Sequence, residues 1–149
     1  MRICLAAFGT IACLFFSGCR SAADHIQPPA IVGAWLVNIP QAPFPYHMFV
    51  FHPDGTMLQS NPDAGDANTS DSNGIGAWSP DDGGIRGKFV EVTADRSTRR
   101  FVSRGEISFS VRVDSDAFTG TATARFYDED GRQLRAPVMA TMKGRRIKP

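Results

Sequence analysis

Residues 106–113 alternate without interruption. Ile107, Phe109, Val111 and Val113 fall on one side, and Glu106, Ser108, Ser110 and Arg112 on the other. A period of two sets one row against a core and the other against water, which a helix with 3.6 residues per turn does not do. From Ile31 onward no stretch keeps apolar residues at i, i+3, i+4 and i+7 over three turns. The body of the chain is therefore expected to be β, with strands at 32–39, 45–52, 55–60, 74–79, 86–94, 98–113, 117–127 and 132–147. Between them stand Pro53-Asp54-Gly55, Asp114-Ser115-Asp116 and Asp128-Glu129-Asp130-Gly131. These turn sequences supply the positive-φ and side-chain-bonded residues that hairpins need.

Successive strands joined by short turns predict an all-β, eight-stranded antiparallel up-and-down barrel, a closure that leaves no unpaired edge. In 118–126, Phe118, Gly120, Ala122, Ala124 and Phe126 share a face. Small residues between two rings leave space inside the barrel or let the strand bend sharply. Gly105 and Gly144 within long strands point to the curvature of a closed sheet. Ser60 to Gly74 contains no large apolar residue and is expected to be a solvated loop. Its Asp63, Asp66 and Asp71 lack the glycine and closing glutamate of a calcium loop, so no metal is expected there.

The first segment is an address. Arg2 precedes an apolar run from Ile3 to Phe16, shorter than a membrane span needs. The run ends in Phe16-Ser17-Gly18-Cys19, which resembles the lipobox of bacterial lipoproteins. That resemblance implies a signal peptide over 1–18, diacylglyceryl attachment to Cys19 and a cell-envelope location. The alternatives are ordinary cleavage after Ser21-Ala22-Ala23 and an uncleaved anchor. Residues 19–30, small and rich in polar groups and proline, would form a tether, and 31–149 the barrel domain. The three cysteines are Cys4, Cys13 and Cys19, so the body carries none and must stabilise itself by its core.

Lys and Arg total 16 against 15 Asp and Glu, so no net field favours nucleic acid. The charge is nonetheless divided: residues 19–85 hold one basic and seven acidic residues, residues 86–149 fourteen and eight. Arg96, Arg99, Arg100 and Arg104 gather around one hairpin. They would either meet an anionic surface or pair with neighbouring strands.

Gly33-Ala34-Trp35 resembles the Gly-x-Trp opening of the lipocalin and calycin barrels. The order of Phe51-His52-Pro53-Asp54-Gly55-Thr56, Gly76-Ala77-Trp78, Phe118-Thr119-Gly120 and Gly144-Arg145-Arg146-Ile147 is similar to that of small bacterial lipocalin-like proteins across 33–147. The resemblance implies that Trp35 plugs the closed end. It also implies that a basic residue of the last strand, Arg145 or Arg146, stacks across it.

Catalytic equipment is sparse. The body has no cysteine, no Gly-x-Ser-x-Gly elbow, no His-x-His or His-Glu-x-x-His, and no phosphate or dinucleotide loop. No cofactor is expected. His47 shares a strand face with Phe49 and Phe51, and Glu91 shares one with Phe89, so both are expected to point inward. The leading expectation is a lipid-anchored barrel that binds a small apolar or amphipathic ligand. His47 would fix the polar end, and Phe49, Phe51, Phe109 and Phe126 would desolvate the rest. One alternative is an envelope interaction protein with a packed barrel, using the 60–74 loop and the arginine hairpin to hold a protein partner. The other is a barrel cyclase or isomerase in which His47 and Glu91 transfer protons.

Overall fold

The computed structural model describes residues 29–62 and 67–149. Residues 1–28, including the expected signal peptide, Cys19 and most of the tether, lie outside the described residues, as do Asp63 and Asp66. The strands are β1 (Gly33–Asn38), β2 (Tyr46–Phe51), β3 (Thr56–Ser60), β4 (Thr69–Asp71), β5 (Gly74–Asp81), β6 (Gly84–Asp95), β7 (Phe101–Asp114), β8 (Ala117–Tyr127) and β9 (Val138–Arg146). Among the described residues there is no helix.

Every pairing is antiparallel. The sheet runs β1–β2–β3–β5–β6–β7–β8–β9 and returns to β1, where Trp35 stands opposite Arg146 and Asn38 opposite Lys143. Eight strands thus close an up-and-down barrel, and β4 pairs outside the ring with the end of β6. An eight-stranded ring is just wide enough for side chains to fill or for one small ligand.

Three boundaries differ from the sequence expectation. The segment 60–74 is not loop throughout, because Thr69–Asp71 pair with Thr93–Asp95. β6 outruns β5, and without β4 the backbone groups of its last residues would lack that partner. The strand expected from 98 begins at Phe101. Asp95 draws residues 97 and 98 into a tight turn, its Oδ1 accepting from the backbone N–H and hydroxyl groups of both Ser97 and Thr98. The last strand begins at Val138 rather than 132. Residues 128–137 form a loop in which the Asp128 carboxylate accepts from the Arg132 N–H at 2.7 Å.

The alternation sorts the side chains as the period requires. Trp35, Val37, Phe49, Phe51, Met57, Phe89, Phe109, Val111 and Phe118 are buried in the interior. Their rings interlock: Phe49 lies 5.7 Å from Phe89, edge to face, and Phe51 6.2 Å from Trp78. Burial of such side chains contributes roughly 1.5–3 kcal/mol each, and this supplies the core that disulfides would otherwise reinforce. Gly76 marks a close approach, since a Cβ there would run into the Lys88 carbonyl and the Phe89 backbone. Neither atom is the free end of a side chain, so β5 and β6 tolerate no larger residue at this crossing.

Candidate functional site

The two ends of the barrel are built differently. At one end Trp35 is fully buried and donates its indole N–H to the Ile31 carbonyl at 2.7 Å. The Arg146 guanidinium lies 4.3 Å from the Trp35 ring centre. It also donates to the carbonyls of Val32 and Ala30 and pairs with Asp116 at 3.3 Å. Phe118 packs against Trp35 with ring centres 5.1 Å apart. The cation over the ring and the hydrogen bonds around it seal this end. Arg145 stands opposite Leu36, on the other face of the strand, and its side chain is exposed.

The other end opens into a cavity of about 650 Å³. Phe89 and Ile107 lie at its floor, and Ala122, Ala124 and Ala140 form one wall. The short side chains of β8 and β9 leave the space that larger residues would fill. Phe126 lines the upper wall, and the Arg135 guanidinium lies 4.0 Å from its ring centre. Val102, Leu134 and Val138 line the cavity while remaining exposed, and so form its rim.

Of the expected ligand residues, His47 and Phe126 line this cavity. Phe49, Phe51 and Phe109 lie beneath it in the aromatic cluster, with ring centres 6.0–6.3 Å apart. The strand period assigns all five to the interior but does not give their height along the barrel axis, and height separates cavity from solid core.

His47 is buried, and both of its nitrogens are engaged. One ring nitrogen, Nε2, lies 2.9 Å from the Phe44 carbonyl, which can only accept, so Nε2 carries the proton. Nδ1 then accepts from the Gln59 amide at 3.0 Å. The Gln59 carbonyl oxygen in turn accepts from the Gly74 N–H at 3.0 Å, which fixes the amide's orientation. This relay ties β2, β3, β5 and the loop above β1 together. Burial pushes the His47 pKa below its ordinary value, and the Phe44 carbonyl only partly opposes this. Protonation of Nδ1 would also set two donors face to face. Gln59, buried and held by two partners, was not among the expected site residues. Its signal was a long amide at an inward position of β3, flanked by the inward Met57.

Glu91 faces the cavity from β6, opposite Gly105 on β7. A Cβ at position 105 would meet the Glu91 Cγ at 3.0 Å and its carboxylate oxygen at 3.1 Å, so the missing side chain gives the glutamate its place. Among the described residues Glu91 has neither hydrogen bond nor ion pair. Burial, and then the nearby Asp71 carboxylate, push its pKa up to about 7. Asp71 also lines the cavity and accepts from the Thr93 hydroxyl at 2.6 Å. His47 and Glu91 therefore share one chamber, but the imidazole is committed to protein partners while the carboxyl is not.

Glu106, the other strand glutamate, points outward to Lys88 and Arg104. Arg104 also lies 5.2 Å from the Tyr127 ring centre, so this member of the arginine hairpin is engaged by its neighbours. Among the described residues no group of three or more metal-ligating side chains comes together.

Fold and chamber together define a class: a small closed antiparallel β-barrel, sealed at one end and open at the other into a largely apolar cavity with a half-buried acid in its wall. No family model, no curated protein and no solved structure matches this chain.

Proposed function

We propose that this protein is a lipocalin-like barrel that holds a small amphipathic molecule in its open-ended cavity, exported and tethered to a bacterial membrane by a lipid on Cys19. The observation that carries the ligand reading is the cavity itself. About 650 Å³ lies within the range of small-molecule sites, and its wall is mostly apolar with a few polar groups set into it. Phe126, Ile107 and the alanines of β8 and β9 would take the apolar body. Glu91 and Arg135 are the charged groups of the lining that a polar end would meet, beside an Asp71 engaged by protein partners. Phe49, Phe51 and Phe109 act from below by keeping the floor dry. His47 acts by holding the loop at 39–45 over one side of the mouth.

A native mass spectrum of the protein purified from its own envelope, compared with its denatured mass, tests this. A reproducible extra mass that disappears on denaturation is the expected result. A bare chain that also fails to take up amphipathic probes overturns the reading. Anchoring is tested separately, because Cys19→Ser should abolish acyl labelling and release the protein from the membrane fraction.

A second reading, an envelope interaction protein, draws on the outer wall. Val50, Leu58, Ile75 and Val90 stand in one cross-strand row, and Leu36 faces Met48 beside it. Ile75 is 69% exposed and Met48 52%. Contiguous apolar surface of this kind marks contact sites more often than scattered residues do. If the wall holds a partner, Ile75→Lys should abolish cross-linking to it in intact cells while leaving the barrel's melting temperature unchanged.

A further inference from the structure

Resting on the ligand reading above, we infer that the cavity selects a cationic amphipathic molecule, with a protonated amine held by Glu91 and an apolar body lying against Ile107, Ala122, Ala124 and Phe126.

The choice of charge follows from the Glu91 carboxyl. It projects into the chamber over Gly105, in a position opened by the absence of a side chain there. Neither a donor nor a cation of the described residues satisfies it. A half-buried acidic group without a protein partner among the described residues costs stability once it is charged. Each neighbouring wall that carries a titratable group sharpens the choice. From β4, Asp71 brings a second carboxylate, which acts on Glu91 through its charge while itself engaged by protein partners. From β2, His47 presents an imidazole whose burial favours the neutral form and whose two nitrogens are occupied by Phe44 and Gln59. From β7, Ser103 and Gly105 bring no charge. The one cation of the lining among the described residues, Arg135, lies over Phe126 and forms no ion pair with Glu91. The part of the cavity around Glu91 is thus negative and supplies acceptors. An anionic head would meet repulsion there, and a hydroxyl would leave the charge uncompensated. An ammonium group supplies both the missing donors and the missing charge.

Its apolar body is constrained as well. The floor is closed by the Phe89 ring and the cluster below it, so the head cannot pass deeper than Glu91. The remaining space runs along the small side chains of β8 and β9 toward the exposed rim residues Val102, Leu134 and Val138. A molecule with its ammonium on Glu91 would lay a ring or short chain on the alanine wall.

Binding would also shift a proton. An ammonium beside the carboxyl favours its charged form, so uptake of the amine drives Glu91 to release its proton. Affinity for the cation should therefore rise between pH 6 and pH 8, while a neutral analogue of the same shape should show no such rise.

The test uses the full chain in lipid nanodiscs, with empty nanodiscs as the blank. The probes are naphthalen-1-ylmethylamine, naphthalen-1-ylmethanol and 1-naphthoate, which share a ring and differ in charge. At pH 8 the amine should bind roughly tenfold more tightly than the alcohol, the ratio that one charge-assisted hydrogen bond supplies. Naphthoate should bind weakest. Glu91→Gln should erase the amine preference over the alcohol and its pH dependence. Equal affinity for amine and alcohol, or a preference for naphthoate, overturns the cation assignment and leaves the ligand reading in place. Failure of all three to bind overturns the ligand reading, and this inference with it.

Discussion

At the scale of single residues, two inward polar side chains from neighbouring levels of the barrel have opposite fates. Gln59 is fully satisfied by His47 and Gly74, whereas Glu91 has no partner among the described residues. Replacement of Gln59 by leucine would leave the Gly74 N–H and His47 Nδ1 buried without partners. We expect a loss of about 2–3 kcal/mol, read from the urea midpoint at unchanged slope. Glu91 should behave in the reverse way. Its carboxyl holds a proton up to about pH 7 in the folded state but gives it up near 4.5 when unfolded. Between those values the native state binds more protons than the unfolded chain, so stability falls as pH rises through that window. The full penalty, on the order of 2–3 kcal/mol, is reached above pH 7. Glu91→Gln should therefore raise the melting temperature by several degrees at pH 8 and by almost nothing at pH 4.5. His47, whose pKa is lowered, works in the opposite sense and weakens the fold as pH drops below 6.5. The difference between wild type and Glu91→Gln at each pH isolates the glutamate.

At the scale of elements, strand identity was largely legible and strand ends were not. The alternation in β7 and the two-phenylalanine face of β8 state which side is buried, because a period of two leaves no other reading. The end of β9 nearest the turn was not legible, because Asp128 closes its turn by accepting a backbone N–H rather than by continuing the ladder. β4 was hidden for another reason. Thr69–Asp71 carry no apolar signal and form a strand because β6 extends past β5 and offers unpaired backbone. Gly76 provides a test at this scale. A Cβ there meets backbone of the adjacent strand, so Gly76→Ala should force β5 from β6 and cost several kcal/mol. Gly131→Ala, in open space but at a φ of 80°, should cost only about 1 kcal/mol. Thermal melts of the two variants make the comparison.

At the scale of the whole molecule, closure depends on the meeting of the first and last strands, β1 and β9. Arg146 carries much of that seam: its guanidinium touches Trp35, the Val32 and Ala30 carbonyls and Asp116, which joins β9 to the turn before β8. Arg146→Ala would strip partners from those carbonyls and uncover the plug. We expect a loss of about 2–4 kcal/mol and faster amide exchange in β1 and β9, with the β6–β7 hairpin less affected. Arg146→Lys should recover little, since an ammonium cannot lie flat on the ring while donating in a fork. The sequence by itself determined that this chain is all β and which face of each strand lies inside. It did so because side-chain alternation and turn chemistry are local properties of the backbone. The tertiary structure alone decided that the interior is solid at one end and hollow at the other, that His47 is tied down by a glutamine twelve residues away, and that Glu91 faces the cavity. Those outcomes depend on the height at which side chains from non-adjacent strands meet inside the ring, which no periodicity along a single strand encodes.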